Sequence, residues 1–335
     1  MKKLGSLIIG CGAISHTHIS SITRKELGKV IAVCDKIKET AEKAMAEAGC
    51  DKYYTDWKQM LNECTNADVV HICTPHFLHA EMAIYAMEHG YDVYLEKPCA
   101  LNVEQAMTIV EASKRTGKKV CVSFQNRLVK TTVAVKETVK SGKLGKLLGM
   151  KGIVTWQRDG AYYTESDWRG NWDTEGGGVL MNQSIHTLDL LYYFGGKVKE
   201  ISGSVALRKN HDIIEVEDTA EATIWFENGI TAIFYATNCN IGTTPAETEF
   251  IFEKGRLLIS NDILYENIDG HIREMTENTG ISIGKSVWGS GHDAMIGNFY
   301  KVLCGEEAEY CDITDAYQVL EMIEGIYSTS KNKLR

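Results

Sequence analysis

Proline is almost missing from this chain, at 3 of 335 residues, so no proline-rich linker is expected between domains. Long apolar runs are missing too. None approaches the ~20 residues that span a bilayer, and Met1-Lys2-Lys3 is followed only by the short strand-like run Leu4 to Gly10. We expect a cytoplasmic protein with no membrane partner. Positive charge is in deficit: 36 Lys+Arg against 45 Asp+Glu leave a net −9, which disfavours nucleic acids and anionic lipid surfaces. The 10 cysteines contain no C-x-x-C pair and stand singly, several inside apolar segments. Buried reduced thiols are expected rather than disulfides or zinc. His16 with His18, and His76 with His79, lack a neighbouring cysteine or carboxylate to complete a ligand set, so no metal is expected. No internal repeat is found.

What remains is an ordinary globular composition, 44% hydrophobic, in a chain longer than one core usually supports, which implies two domains. From residue 4 to residue 127, near-continuous apolar runs alternate with helix-period segments. Runs at 4–10, 30–35, 68–74, 92–96 and 119–124 read as strands of a parallel sheet covered on both faces. After a helical stretch at 129–139 the pattern turns to period-2 runs at 147–157, 198–209, 219–225, 230–237, 249–252 and 256–260, with hairpin signals at Asn228-Gly229 and Lys254-Gly255. Helix patterns are expected at 179–194, 292–303 and 315–328. The fold class is α/β: residues 1–124 form a doubly wound dinucleotide-binding domain, and 125–335 a substrate-binding and oligomerisation domain with a mainly antiparallel sheet.

Several motifs carry chemistry. Gly10-Cys11-Gly12 ends the first strand, where a tight turn and a bare backbone would let a pyrophosphate reach the next helix. Asp35 ends the second strand and can accept hydrogen bonds from ribose hydroxyls. Its charge repels a 2′-phosphate, so NAD is expected over NADP, although Lys36 compensates in part. Thr74-Pro75 and Glu96-Lys97-Pro98 end two further strands at the same sheet edge. In the second half, Gly176-Gly177-Gly178 implies an unusual turn or close approach to a ligand. Asn182, His186 and Asp189 follow at helical spacing as a polar face in an apolar segment, expected to line a wet cleft. Tyr162, Tyr163, Trp168, Arg169 and Trp172 form an aromatic loop suited to stacking on a sugar ring or nicotinamide and to clamping an anion. Arg127, Lys130 and Arg169 could supply a local basic patch.

With these motifs assembled, the chain resembles the Gfo/Idh/MocA oxidoreductases over essentially its whole length. The family's G-x-G-x-x-[GA]-x-x-H opening is matched by Gly10, Gly12 and His18, with Ser15 departing at the third position. Its T-P-x-x-x-H is matched by Thr74, Pro75 and His79, its E-K-P by residues 96–98, and its glycine-rich later motif by Gly176, Leu180, Asn182, Ser184, His186 and Asp189. The resemblance implies a Rossmann domain followed by an open-faced α/β domain whose sheet builds a homo-oligomer, a dimer or tetramer. It implies NAD(P)-linked hydride transfer at a sugar or cyclitol hydroxyl. The family's Lys, Asp and His set falls on Lys97, Asn182 and His186. Asparagine cannot exchange a proton, so Asn182 is read as orienting a substrate hydroxyl, with His186 as base and Lys97 as the positive charge at the alkoxide. Asp189 could brace the His186 ring. Cofactor contacts are implied for Gly10, Gly12, Ala13, Ile14, Asp35, Lys36, Thr74, Pro75, His79, Glu96, Lys97, Asn126, Trp168 and Arg169. Substrate contacts are implied for Lys97, Arg127, Tyr162, Tyr163, Trp172, Asn182, His186 and His292. The aromatic loop with Met181-Asn182-Gln183 looks most like the branch containing UDP-N-acetylglucosaminuronic acid 3-dehydrogenases and related sugar 3-dehydrogenases, hence oxidation of a pyranose at C3. A nucleotide- and sugar-sensing regulator without turnover, or a redox-assisted glycoside-modifying enzyme, are the alternatives.

Overall fold

A computed structural model describes residues 3–24, 26–276, 291–331 and 334, which fall into two compact units. The first alternates β1 (Leu4–Ile9), α1 (Ser15–Arg24), β2 (Gly28–Cys34), α2 (Lys38–Ala48), β3 (Tyr53–Tyr54), α3 (Trp57–Glu63), β4 (Val69–Ile72), α4 (His79–Glu88), β5 (Asp92–Leu95), α5 (Val103–Thr116) and β6 (Val120–Val122). All neighbours pair in parallel in the order β3-β2-β1-β4-β5-β6. Every residue of β1 and β4 is buried, which is why these strands read as continuous apolar runs. The strand order reverses between β1 and β4, and the glycine turn and Thr74 lie at the carboxyl ends of those two strands. Local chemistry sets the helix ends: Asp56 caps α3 by accepting from Lys58 N and Gln59 N, and Gly117 stops α5 at φ 71°.

The second unit takes up the chain at Asn126 and carries α6 (Lys130–Ser141), β7 (Leu147–Thr155), α7 (Gly160–Thr164), α8 (Trp172–Glu175), α9 (Ile185–Gly195), β8 (Val198–Ala206), β9 (Thr219–Phe226), β10 (Thr231–Thr237), β11 (Glu247–Phe252), β12 (Gly255–Ser260), β13 (Ile263–Ile268) and β14 (His271–Thr276). Its sheet runs β14-β13-β12-β11-β7-β10-β9-β8, antiparallel throughout except for the parallel pair β7–β10. Helix α9 covers one face so closely that a Cβ on Gly152 would lie 2.6 Å from Thr187 Cγ2. The other face presents Trp225, Ile233, Tyr235 and Ile251 to solvent.

Three features depart from the sequence expectation. Described residues between 291 and 317, with α10 (His292–Leu303) and the start of α11 (Ile313–Thr329), group with the first unit rather than with 125–335. Val122 N donates to Cys311 O at 2.9 Å, so this late segment covers the edge of β6. The hairpin β13–β14 was not expected; left-handed Asp269 and Gly270 form its turn, and left-handed Asn261 and Asp262 form the turn from β12 into β13. Helix α9 begins only at Ile185, because residues 176–184 fold as turns tied by Val179 N to Glu217 O and Ser184 Oγ to Val179 O. All ten cysteines are free, and eight are buried.

Candidate active site

In the first unit the glycine turn is built by close approach. Gly10 sits at φ 85°, and a Cβ there would lie 2.7 Å from the Cys73 carbonyl. A Cβ on Gly12 would meet nothing within 4 Å, so its exposed face, with exposed Ala13 and half-buried Ile14, can admit a pyrophosphate at the start of α1. Ser15, the departure from the family pattern, is fully buried, and its hydroxyl donates to Gly12 O at 2.7 Å. The hydroxyl thus braces the turn. Asp35 does the same from the other side: its two carboxylate oxygens accept from Cys11 N at 2.8 Å and from Ile37 N at 2.9 Å. Each oxygen retains a further lone pair for a ribose hydroxyl. Lys36 is exposed beside it.

The other strand ends are tied together behind the surface. His79 is fully buried, with Nδ1 2.7 Å from Pro98 O and Nε2 2.8 Å from Thr74 O. It staples the Thr74-Pro75 turn to the Glu96-Lys97-Pro98 turn, which corrects the expectation that it touches the cofactor; Thr74, Pro75 and Lys97 remain half-buried. Glu96 is also no surface group. His18 Nε2 lies 2.9 Å from its Oε1, His18 Nδ1 lies 2.9 Å from His71 Nδ1, and His71 Nε2 lies 2.9 Å from the Tyr300 hydroxyl, which meets Ser6 Oγ at 2.5 Å. Burial alone pushes Glu96 up, but the hydrogen bond and charge of His18, with His292 and Lys97, hold it well below the usual carboxylate range. Burial, then the charge of His18, lowers His71. An ionised Glu96 makes His18 Nε2 the donor in that contact. His292, expected at the substrate, is instead buried on α10 against His18, and burial lowers it to about 4. Ligand atoms of His18, Glu96 and His292 lie within 4.8 Å of one another, so a carboxylate and a second imidazole do join His18 from distant sequence. Both nitrogens of His18 already contact His71 and Glu96, while His292 Nδ1 is buried without a hydrogen-bond partner among the described residues.

The second unit gathers the aromatic loop around Asn182. The Asn182 Nδ2 donates to Glu175 Oε1 at 2.6 Å and approaches the Tyr162 hydroxyl at 3.3 Å; Gln183 Nε2 donates to the same hydroxyl at 3.0 Å. The Arg169 guanidinium stacks 4.3 Å over the Tyr162 ring and 5.1 Å from Trp168. Within residues 175–190 only Asn182 and His186 are not buried. These two expected positions therefore share a half-exposed surface, although Asn182 lies in the turns before the helix rather than in it. Asp189 does not: it is fully buried and accepts from Arg127 Nε at 3.0 Å and Nη2 at 2.6 Å. That buried ion pair turns Arg127, expected at the substrate, inward onto Asp189. Tyr163 also leaves the substrate list, since it is 3% exposed, packs with Ile214 and Val216, and accepts from Asn238 Nδ2 at 3.1 Å. Trp172 is half-buried, edge-on to Tyr327, and Asn126 is half-buried on the turn at Gln125–Leu128.

Two residues buried behind this surface were not expected. Glu175 is fully buried and also accepts from Gly170 N at 2.6 Å. Glu217 accepts from Gly178 N, Leu180 N and the Tyr327 hydroxyl at 3.0, 2.9 and 2.9 Å. Burial pushes each carboxyl up to about 7. The triple glycine is explained by the same contacts: a Cβ on Gly178 would sit 1.9 Å from Glu217 O, and one on Gly177 2.2 Å from the Tyr327 hydroxyl. Protein backbone and a tyrosine, rather than a ligand, demand the small residues. The acidic residue abutting Gly176 was the one available signal for Glu175.

A doubly wound unit with a bare glycine turn and an acidic end to β2 defines a dinucleotide-binding domain. The chain belongs to the Gfo/Idh/MocA family: residues 4–124 match its oxidoreductase domain with NAD-binding Rossmann fold, and residues 132–258 match its C-terminal domain. It is 28% identical to scyllo-inositol 2-dehydrogenase (NAD(+)) of Bacillus subtilis, across 66% of this chain and 62% of that one. It is 30% identical to D-glucoside 3-dehydrogenase of Escherichia coli, across 66% of each. Among solved structures, the WlbA dehydrogenase of Bordetella pertussis in complex with NADH and UDP-GlcNAcA superposes with a TM-score of 0.84 at 26% identity, covering 99% of this chain and 97% of that one. No described helix is long and apolar enough to cross a membrane.

Proposed function

We propose that the chain is a sugar dehydrogenase that uses NAD to oxidise a pyranose ring hydroxyl at C3, in a glycoside or nucleotide-sugar. The observation that carries this reading is the half-exposed pair Asn182 and His186, flanked by the Tyr162 ring under the Arg169 guanidinium. An aromatic face suits the apolar side of a sugar ring, and two neighbouring polar groups suit vicinal hydroxyls. The likeness to D-glucoside 3-dehydrogenase and to a dehydrogenase complexed with UDP-GlcNAcA supports the substrate class. Retention of both Lys97 and His186 favours turnover over a purely sensory role.

Bound NAD supplies the hydride acceptor. Gly12 admits its pyrophosphate and Asp35 holds its adenosine ribose. His186 accepts the hydroxyl proton. Lys97 stabilises the developing alkoxide. Asn182 orients the substrate hydroxyl. The apolar outer face of the second sheet, with Trp225, Ile233 and Tyr235, supports a homo-oligomer built through that face. Ten unpaired cysteines fit a reducing, cytoplasmic compartment.

The test is turnover. Purified protein with NAD should reduce the nicotinamide on methyl glucopyranosides, free pyranoses or UDP-GlcNAcA. Activity confined to an inositol, a linear polyol or a dihydrodiol would overturn the reading.

A further inference from the structure

Asn182 stands where the family pattern carries an aspartate as well as an asparagine, and the carboxyl absent from its own side chain is found one contact behind it. Glu175 ends α8 fully buried, 2.6 Å from Asn182 Nδ2, while its other oxygen accepts from Gly170 N at the same distance. A carboxylate can only accept, so in its ionised form it must face the amide's NH2. The Asn182 carbonyl then lies on the opposite edge. A protonated carboxyl can donate, and it would be satisfied equally well by that carbonyl after a half-turn of the amide about its last torsion. Such a turn costs little, because amide torsions are broad and roughly two-fold.

We propose that Glu175 is a positioning residue whose protonation decides which edge of the Asn182 amide meets the substrate. Ionised, Glu175 holds Nδ2 and Asn182 offers its carbonyl as an acceptor; protonated, it donates to the carbonyl and Nδ2 turns outward as a donor. The inference rests on the reading of Asn182 as the residue that orients a substrate hydroxyl. The groups facing Glu175 set its balance. Burial raises it and the carboxyl of Glu217 adds to the rise, whereas its hydrogen bonds from Gly170 and Asn182 and the guanidinium of Arg169 lower it. Tyr162 and Tyr163 on α7 are both raised by burial and stay neutral alongside it. The outcome is a carboxyl near 7, so both states are available at physiological pH.

The test reads the amide directly. Protein labelled with 15N-asparagine is titrated in the apo form, with the Asn182 side-chain resonance assigned by its loss in Asn182→Ala. The wild-type resonance should move through a midpoint near 7, stop moving in Glu175→Gln, and move again in Glu175→Asp. A wild-type resonance that does not titrate, or one that titrates unchanged in Glu175→Gln, overturns the proposal. If Glu175→Gln fails to fold, Glu175→Asp decides: its midpoint should shift from that of the wild type, and an unchanged midpoint overturns the proposal. In a second arm, KM for methyl α-D-glucopyranoside should change about tenfold between about pH 6 and about pH 8 in the wild type, the worth of one hydrogen bond. It should be flat in Glu175→Gln. If the glucopyranoside is not turned over, the proposed function is contradicted, while the amide titration still decides this inference.

Discussion

Glu96 lies 2.9 Å from His18 Nε2 in a buried contact, one residue before Lys97 in the chain. His71, Tyr300 and Ser6 extend that contact through the interior of the first unit, so the turn that carries Lys97 is anchored by groups from α1, β4, α10 and β1. His18, the histidine of the family's opening motif, therefore contacts the Glu96 carboxylate inside the unit.

This contact makes stability pH-dependent with a definite sign. Glu96 titrates below its usual 4.5 in the folded chain, so its contribution is complete above that value and is lost as pH falls below it toward the folded value. Glu96→Gln should cost about 1–3 kcal/mol at neutral pH and lose less than the wild type on acidification. Urea denaturation at about pH 7 and about pH 3.5 measures both, and equal acid losses in the two proteins would contradict the ion-pair reading.

Gly12 and Gly178 should fail in opposite ways. Gly12→Ala meets nothing within 4 Å, so the apo protein should melt normally while NAD binding falls by about tenfold or more. Gly178→Ala places a methyl 1.9 Å from Glu217 O and should destabilise by several kcal/mol, on the order of 3–5. Thermal melts with and without NAD separate the two.

Asp35 supports the glycine turn as well as the expected ribose contact, through Cys11 N and Ile37 N. Asp35→Ala should weaken NAD by about ten- to a hundredfold and NADP by less, because the repulsion of a 2′-phosphate goes with the carboxylate. Calorimetric titration with both dinucleotides checks this; a wild type that already prefers NADP would contradict it.

Much of this was legible in the sequence because it depends on short-range chemistry. Glycine at the end of a buried strand, an acid at the end of the next and a proline after Lys97 each declare themselves locally. What was not legible depends on partners far along the chain. Asp189 looked like part of a wet helical face, yet Arg127, 62 residues earlier, buries it in an ion pair. Gly176 to Gly178 could be read as an unusual turn or as a close approach to a ligand; Gly176 ends α8 at φ 84°, and the groups that crowd Gly177 and Gly178 are Tyr327 and Glu217. Tyr163 could not be told from Tyr162 until one packed on Ile214 and the other turned to Asn182. The β13–β14 hairpin was passed over because Glu266, Asn267, Arg273 and Glu274 dilute its alternation.

Lys97 and His186 should behave as one catalytic unit. Each alanine variant should lower kcat by orders of magnitude, about 10²–10⁴, with NAD affinity retained, and the double variant should be little worse than either single. Additive losses would argue that they do not share the substrate proton.

The most direct measurement is the identity of the oxidised carbon. Methyl α-D-glucopyranoside or UDP-GlcNAcA incubated with the protein and excess NAD, then followed by carbon NMR, should show a new ring carbonyl at C3 in step with NADH formation. A carbonyl at any other carbon, or NADH formed only from an inositol or a linear polyol, would contradict the proposed chemistry.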